Sequence, residues 1–189
     1  MKKLVTFLFL LTSIVCFGQN KDFLKDVSGI NFYGVDYSAA KVFGAAESPQ
    51  EFKIAFDKIN QLFITEAKKY DVGKRLKKKV NQISLTAVDK VNGEINPDEL
   101  MTTNQEYTLS EEEIKQVVDA LPIQQEPGIG LVIIAKLLNK AKAYGSYQVV
   151  FFNTQTKEIV KDWATGGRAR GFGLRNYWAG SIHKVVNSL

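Results

Sequence analysis

Cysteine is almost missing from this chain. The single one, Cys16, lies in the first eighteen residues. If those residues are removed on export, no disulfide, thiolate nucleophile or sulfur metal ligand remains. Histidine is equally scarce. His183 stands alone, with no HExxH or related spacing, so a zinc site would need carboxylate partners that no spacing supplies. As a general base it would need an orienting acid, and no position offers one. Structural or surface roles are expected for it. Paired carboxylates at a readable spacing are missing too. Beyond residue 18 no apolar run is long enough to cross a bilayer: Ile129–Leu138 and Tyr147–Phe152 are short or interrupted and read as buried strands. There is no internal repeat and no low-complexity linker.

What is present starts with an address. Lys2 and Lys3 give a basic start, Leu4 to Phe17 an apolar core, and Cys16-Phe17-Gly18 small residues at −3 and −1 of a cut after Gly18. Residues 1–18 are therefore expected to be a signal peptide, 19–29 a polar, mobile lead-in, and 30–189 a single α/β domain in the periplasm or secreted. A lipid-anchored form on Cys16 is not expected. Lipidation favours Leu three residues before the cysteine and a small residue directly before it, and those places hold Ser13 and Val15.

Hydrophobic residues at 45% and charged residues at 24% are ordinary globular values, enough to bury a real core. The net charge is +5, and +3 once Lys2 and Lys3 are lost. So mild an excess favours anionic surfaces weakly and gives no case for nucleic acid.

Phe32 to Tyr37 alternates as a first strand, with Phe32, Gly34 and Asp36 on one face and Tyr33, Val35 and Tyr37 on the other. Ser48-Pro49-Gln50-Glu51 is a helix start with a capping box, followed by Phe52, Ala55, Phe56, Ile59, Leu62 and Phe63 at helical spacing. Asp71 is placed to cap a short basic helix through Lys79. Gln82 to Val91 alternates Ile83, Leu85 and Ala87 and predicts a half-exposed strand ending at an Asn92-Gly93 turn. Glu94 to Thr108 reads as a long loop. Leu109-Ser110 opens another helix, with Glu113 completing a capping box and Leu109 stapled onto Ile114. Three strands follow, at Ile129–Leu138, Ser146–Asn153 and Glu158–Thr165. Their apolar runs imply burial on both faces. A closing helix over Arg175–Ser188 ends the chain. The fold class is α+β: a mixed sheet of about five strands with helices packed on it, in the order β-α-β-α-β-β-β-α.

Gly166 to Gly173, with Arg168 and Arg170 and with Arg175 just beyond, is the most unusual segment. Glycine backbone and guanidinium groups ahead of a helix suit a phosphate or carboxylate. The spacing fits neither the P-loop nor the dinucleotide fingerprint, and a plain glycine-rich crossover with solvated arginines is the other reading. Lys68, Lys69, Lys74, Arg75, Lys77, Lys78 and Lys79, opposed only by Asp71, form either a patch for anionic headgroups or glycans or a solvated helix face. Asp36 and Ser38 flank Tyr37 at a strand end, where they bind a ligand or cap a turn. The ligand-binding candidates are thus Arg168, Arg170, Arg175 and Asp36, with no catalytic residue, metal or cofactor implied. Tyr177 and Trp178, with the aromatics before them, suit core better than a sugar platform.

The hairpin Tyr147-Gln148-Val149-Val150-Phe151-Phe152-Asn153 through Lys157-Glu158-Ile159-Val160, set in that element order, resembles small periplasmic domains of envelope-assembly proteins. Among these are the amino-terminal domain of the Tol translocation protein and the outer-membrane lipoprotein activators of peptidoglycan synthases. The chain is also similar to secreted proteins of Gram-negative envelopes. The resemblance implies a non-catalytic binding or scaffolding domain whose partner is an envelope protein or an anionic envelope component, and it carries over no catalytic residue. The alternative is a small periplasmic hydrolase using Asp36 and the arginine loop. A pocket gathering Asp36, His183 and Arg168 or Arg170 would favour it.

Protein recovered from the periplasm is expected to have the intact mass of a chain starting at Gln19. Full-length mass, or a diacylglycerol adduct on Cys16, would overturn the soluble exported form.

Overall fold

The computed structural model describes residues 22–189. The expected signal peptide lies outside the described residues. The lead-in, expected to be mobile, is anchored from residue 22 onward. Asp22–Leu24 form one 3-10 turn, Leu24 is buried, and the Phe23 ring meets Phe151 edge-on at 5.0 Å. Burial of Leu24 and partial burial of Phe23 outweigh the polar character of their neighbours.

One mixed sheet organises the molecule. Strands β1 (Gly29–Asp36) and β2 (Lys41–Phe43) run parallel beside successive halves of β5 (Ile129–Asn139). β3 (Lys79–Ile83) flanks β1, and β4 (Met101–Thr102) flanks β2, both in parallel. On the other edge of β5, β6 (Tyr144–Asn153) and β7 (Ile159–Arg168) continue antiparallel. Because β1 and β2 share one rank, and β3 and β4 another, the sheet is about as wide as the sequence predicts. The expected long loop at 94–108 instead holds β4 and a short helix, α5 (Pro97–Leu100).

Apolar layers cover both faces. One joins Phe32, Val35, Leu131, Ile133, Val149 and Phe151 to helices α1 (Pro49–Asn60), α2 (Leu62–Thr65), α3 (Val72–Leu76) and α7 (Leu174–Ser188). The other joins Tyr33, Val132, Ile134, Val150 and Phe152 to α4 (Thr86–Gly93) and α6 (Glu111–Ala120). Helices on both faces explain the unbroken apolar runs of β5 and β6. Both predicted capping boxes are present. Ser48 N–H donates to Glu51 Oε2 at 2.8 Å and Ser110 N–H to Glu113 Oε2 at 2.8 Å, with the hydroxyls accepting in return.

Two sequence expectations fail for physical reasons. In β1 the register slips between Phe32 and Val35, and Gly34 takes φ +96°, which only glycine adopts without strain. The bulge puts Val35 and Tyr37 on the same face as Phe32, where alternation had separated them. The Tyr37 ring then stacks on Phe56 at 3.9 Å and 3°. In the second case, the strand expected over 82–91 ends at Ile83, and α4 takes over. Ala87, Val88 and Asn92 are buried on its inner side, so the apolar residues that alternate also fit a helix. Asn92-Gly93 closes that helix instead of making the turn after a strand.

The early end of β3 leaves the outer edge of β1 without a strand beyond Phe32. Two amide side chains fill the gap. Asn60 Oδ1 accepts from Val35 N–H at 2.8 Å and its Nδ2 donates to Val35 C=O at 2.9 Å. Asn92 Nδ2 donates to the same carbonyl at 3.1 Å, and its Oδ1 accepts from Tyr37 N–H at 2.7 Å. Asp36 lies between them in sequence. Its Oδ1 accepts from Ser38 N–H at 2.7 Å, while Oδ2 is buried without a partner. Burial raises its pKa, and the bonds to Ser38 oppose the shift.

Asn60→Ala orphans the Val35 N–H at the bulge and should cost about 3 kcal/mol. Ser48→Ala, at an exposed cap, should cost about 1 kcal/mol. Chemical denaturation ranks them, and the reverse order would show that the bulge does not depend on Asn60. Asp36 is 1% exposed and holds its proton more tightly folded than unfolded. Its contribution to stability is therefore present at low pH and lost as pH rises through the raised pKa. Between pH 4 and pH 7 the stability difference between Asp36→Asn and wild type should move in favour of the variant. A difference that stays constant would mean that Asp36 titrates normally.

Candidate functional site

The glycine-rich segment is not the loop that its composition suggests. Gly166, Gly167 and Arg168 belong to β7, opposite Ser146, Gly145 and Tyr144. Gly167 is needed for packing: a Cβ there would run into the Ser181 carbonyl, so its absence lets α7 lie against the strand. The true loop is confined to Ala169–Gly173.

That loop forms one wall of a hollow of about 270 Å³. Arg170, Gly171 and Asn176 line it with Ala179, Gly180 and His183 of α7. Leu62, Glu66, Lys69 and Tyr70, from α2 and the turn after it, close the other side. Backbone bonds hold the loop: Arg170 N–H donates to Tyr177 C=O at 3.0 Å, and Tyr177 N–H to Gly173 C=O at 2.9 Å. Tyr70 Oη donates to Ala179 C=O at 3.4 Å, and its ring meets His183 edge-on at 5.6 Å. Lys69 pairs with Glu66 at 3.1 Å and lies 5.2 Å from the Tyr70 ring centre.

The field in the hollow is positive. The His183 pKa is lowered, first by burial and then by Lys69, Lys184, Arg75 and Arg170. The Tyr70 pKa is raised first by burial and also by Glu66, with Lys69 and Arg175 pulling it back down. Two basic segments far apart in sequence therefore act on the same groups, because α7 returns the arginine loop to the turn after α2.

The four candidates read from the sequence do not form a single cluster. Arg170 lines this hollow. Arg175 lines an adjoining one with Glu51, Ile54, Ala55, Lys58 and Leu174, and its Nε donates to Asn176 Oδ1 at 3.0 Å. Arg168 is exposed at the end of β7, opposite Tyr144. Asp36 is buried at the end of β1, takes part in a turn, and lines neither hollow. The grouping of Asp36, His183 and arginine that would suit a hydrolase is thus not assembled. The acid that lines the same hollow as His183 is Glu66, already paired with Lys69. Tyr70 carried no signal of its own in the sequence, and His183 gained its place only through the packing of α7.

A second hollow, of about 330 Å³, is lined chiefly by Asn31, Tyr33, Gln82, Ser84, Gln124 and Glu126. Across β5–β7, Lys136 Nζ donates to Gln148 Oε1 at 3.0 Å, and Gln148 Nε2 donates to Asp162 Oδ2 at 2.5 Å. Among the described residues no group of three or more His, Cys, Asp or Glu could hold a metal ion, and no helix is long and apolar enough to cross a membrane.

No protein-family model matches the chain, and no curated protein matches it either. Among solved structures, the C-terminal domain of LpoB from Salmonella enterica aligns with 75% of this chain and 82% of its own. Its sequence identity is 12% and its TM-score 0.31, a loose likeness of arrangement that assigns no residue a role.

Proposed function

We propose that the chain is a non-catalytic, envelope-associated binding domain that recognises an anionic envelope component through the hollow between Arg170, Lys69 and His183. The observation that carries this reading is the convergence of the arginine loop and the basic turn region on one hollow. Lys69 is paired with Glu66, so the charge left uncancelled comes from the carboxyl-terminal segment. From Trp163 to Leu189 the chain contains no Asp or Glu, while Arg168, Arg170, Arg175 and Lys184 are all there. Guanidinium and ammonium donors on a fixed backbone suit phosphate, sulfate or carboxylate oxygens. The basic, apolar, small-residue order of the first eighteen positions supports an address outside the cytoplasm.

Sucrose octasulfate is a suitable soluble probe, since its charge does not titrate. Changing Lys69 and Arg170 together to Ala should weaken its binding about tenfold or more, and added salt should weaken wild-type binding. Unchanged affinity in the double variant would overturn the assignment. The charged groups acting on His183 are Lys69, Arg75, Arg170 and Lys184, and Glu66 and Tyr70 line the same hollow. Burial and the neighbouring cations lower the His183 pKa, so protonation adds charge to the hollow only on the acid side of the ordinary histidine range. Binding should therefore tighten between pH 7 and pH 5.5 in the wild type and stay flat in His183→Gln.

A further inference from the structure

The loop beside the hollow carries the most exposed large apolar side chain among the described residues. Phe172 is 95% exposed. It is not a loose end. Gly171 at φ +130° and Gly173 at φ +78° bracket it in conformations that disfavour side chains, and a Cβ on Gly171 would strike the Asn176 carbonyl. Asn176 Nδ2 donates to Phe172 C=O at 3.1 Å, so the backbone that presents the ring is fixed.

Its surroundings are apolar and basic together. Leu174, two residues on, lines the hollow that contains Ile54, which is 55% exposed. Gly171, one residue before, lines the hollow that contains Leu62. Lys58 and Arg175 line the first of these hollows together with Glu51, and Lys69 and Arg170 the second together with Glu66. Of the acids there, Glu66 offsets Lys69 and Glu51 bonds the Ser48 cap, against Lys58, Arg170 and Arg175. A fixed aromatic tip among exposed aliphatic groups and arginines matches the boundary between the acyl chains and headgroups of a negatively charged bilayer. There the ring leaves water while the guanidinium groups stay at the phosphates.

We infer that Phe172 is a wedge with which this face enters the interface of an anionic lipid bilayer. The inference rests on reading the neighbouring hollow as an anion site, and names the lipid surface as the source of the anion.

The test is sedimentation with vesicles of phosphatidylcholine alone or mixed with phosphatidylglycerol, alongside sucrose octasulfate binding. Wild type should bind the mixed vesicles and scarcely bind the neutral ones. Phe172→Ser should lower partition into the mixed vesicles about tenfold to a hundredfold and bind sucrose octasulfate like wild type. Lys69→Ala/Arg170→Ala should lose affinity for both probes. Equal vesicle binding by wild type and Phe172→Ser overturns the wedge. Wild type that binds sucrose octasulfate but not the mixed vesicles also overturns it and leaves the hollow's anion preference standing. Failure to bind either probe overturns both readings.

Discussion

The backbone of Val35 is the joint on which this architecture depends. A bulge at Gly34 turns β1 so that Val35 and Tyr37 face the larger apolar layer, and β3 stops too early to pair with this part of the strand. Buried N–H and C=O groups left there would be costly. Asn60 at the end of α1 and Asn92 near the end of α4 meet that need together, from two different helices. One strand edge thereby fixes the position of both helices. The aromatic stack of Tyr37 on Phe56 and the packing of Ala87 and Val88 depend on that placement. Because the joint is made of neutral amides, it carries no charge that solvent ions could screen.

The parts of the fold that were legible in the sequence are those decided within a few residues. Ser48 and Ser110 each carry their partner three positions on, so the starts of α1 and α6 could be read directly. The late strands announced themselves through long apolar runs with polar turns between them. The bulge could not be read, because the pattern around Gly34 obeys strict alternation and only burial on one face selects the slip. The segment 82–91 was ambiguous for a different reason. Its apolar residues satisfy both periods, and the need for an amide beside Val35 decides in favour of the helix. Gly166 and Gly167 looked like loop glycines because nothing nearby in sequence reveals Tyr144 lying over the one and Ser181 over the other.

The candidate site divides along the same line. The arginines and the lysine cluster were each visible as local excesses of charge. That Arg170 and Lys69 act on one histidine depends on α7 crossing back over the turn after α2, a contact between residues more than a hundred positions apart. Arg168 and Arg170 flank a single residue in sequence, yet one ends a strand and the other lines the hollow. Asp36, read as a possible ligand group, serves the turn that leaves β1.

The amide joint also has a chemical weak point. Asn92 is followed by Gly93, the neighbour that least hinders attack of the next backbone nitrogen on an asparagine side chain. The helical conformation of α4 holds that nitrogen away from the amide. Where the last turn of α4 frays, cyclisation and hydrolysis can convert Asn92 to aspartate or isoaspartate. A carboxylate would then face the Val35 carbonyl in place of a donor, and two acceptors cannot bond. Ageing at this one position would loosen a helix from the sheet irreversibly, so the working life of the folded chain is tied to how tightly a single glycine-ended helix stays closed.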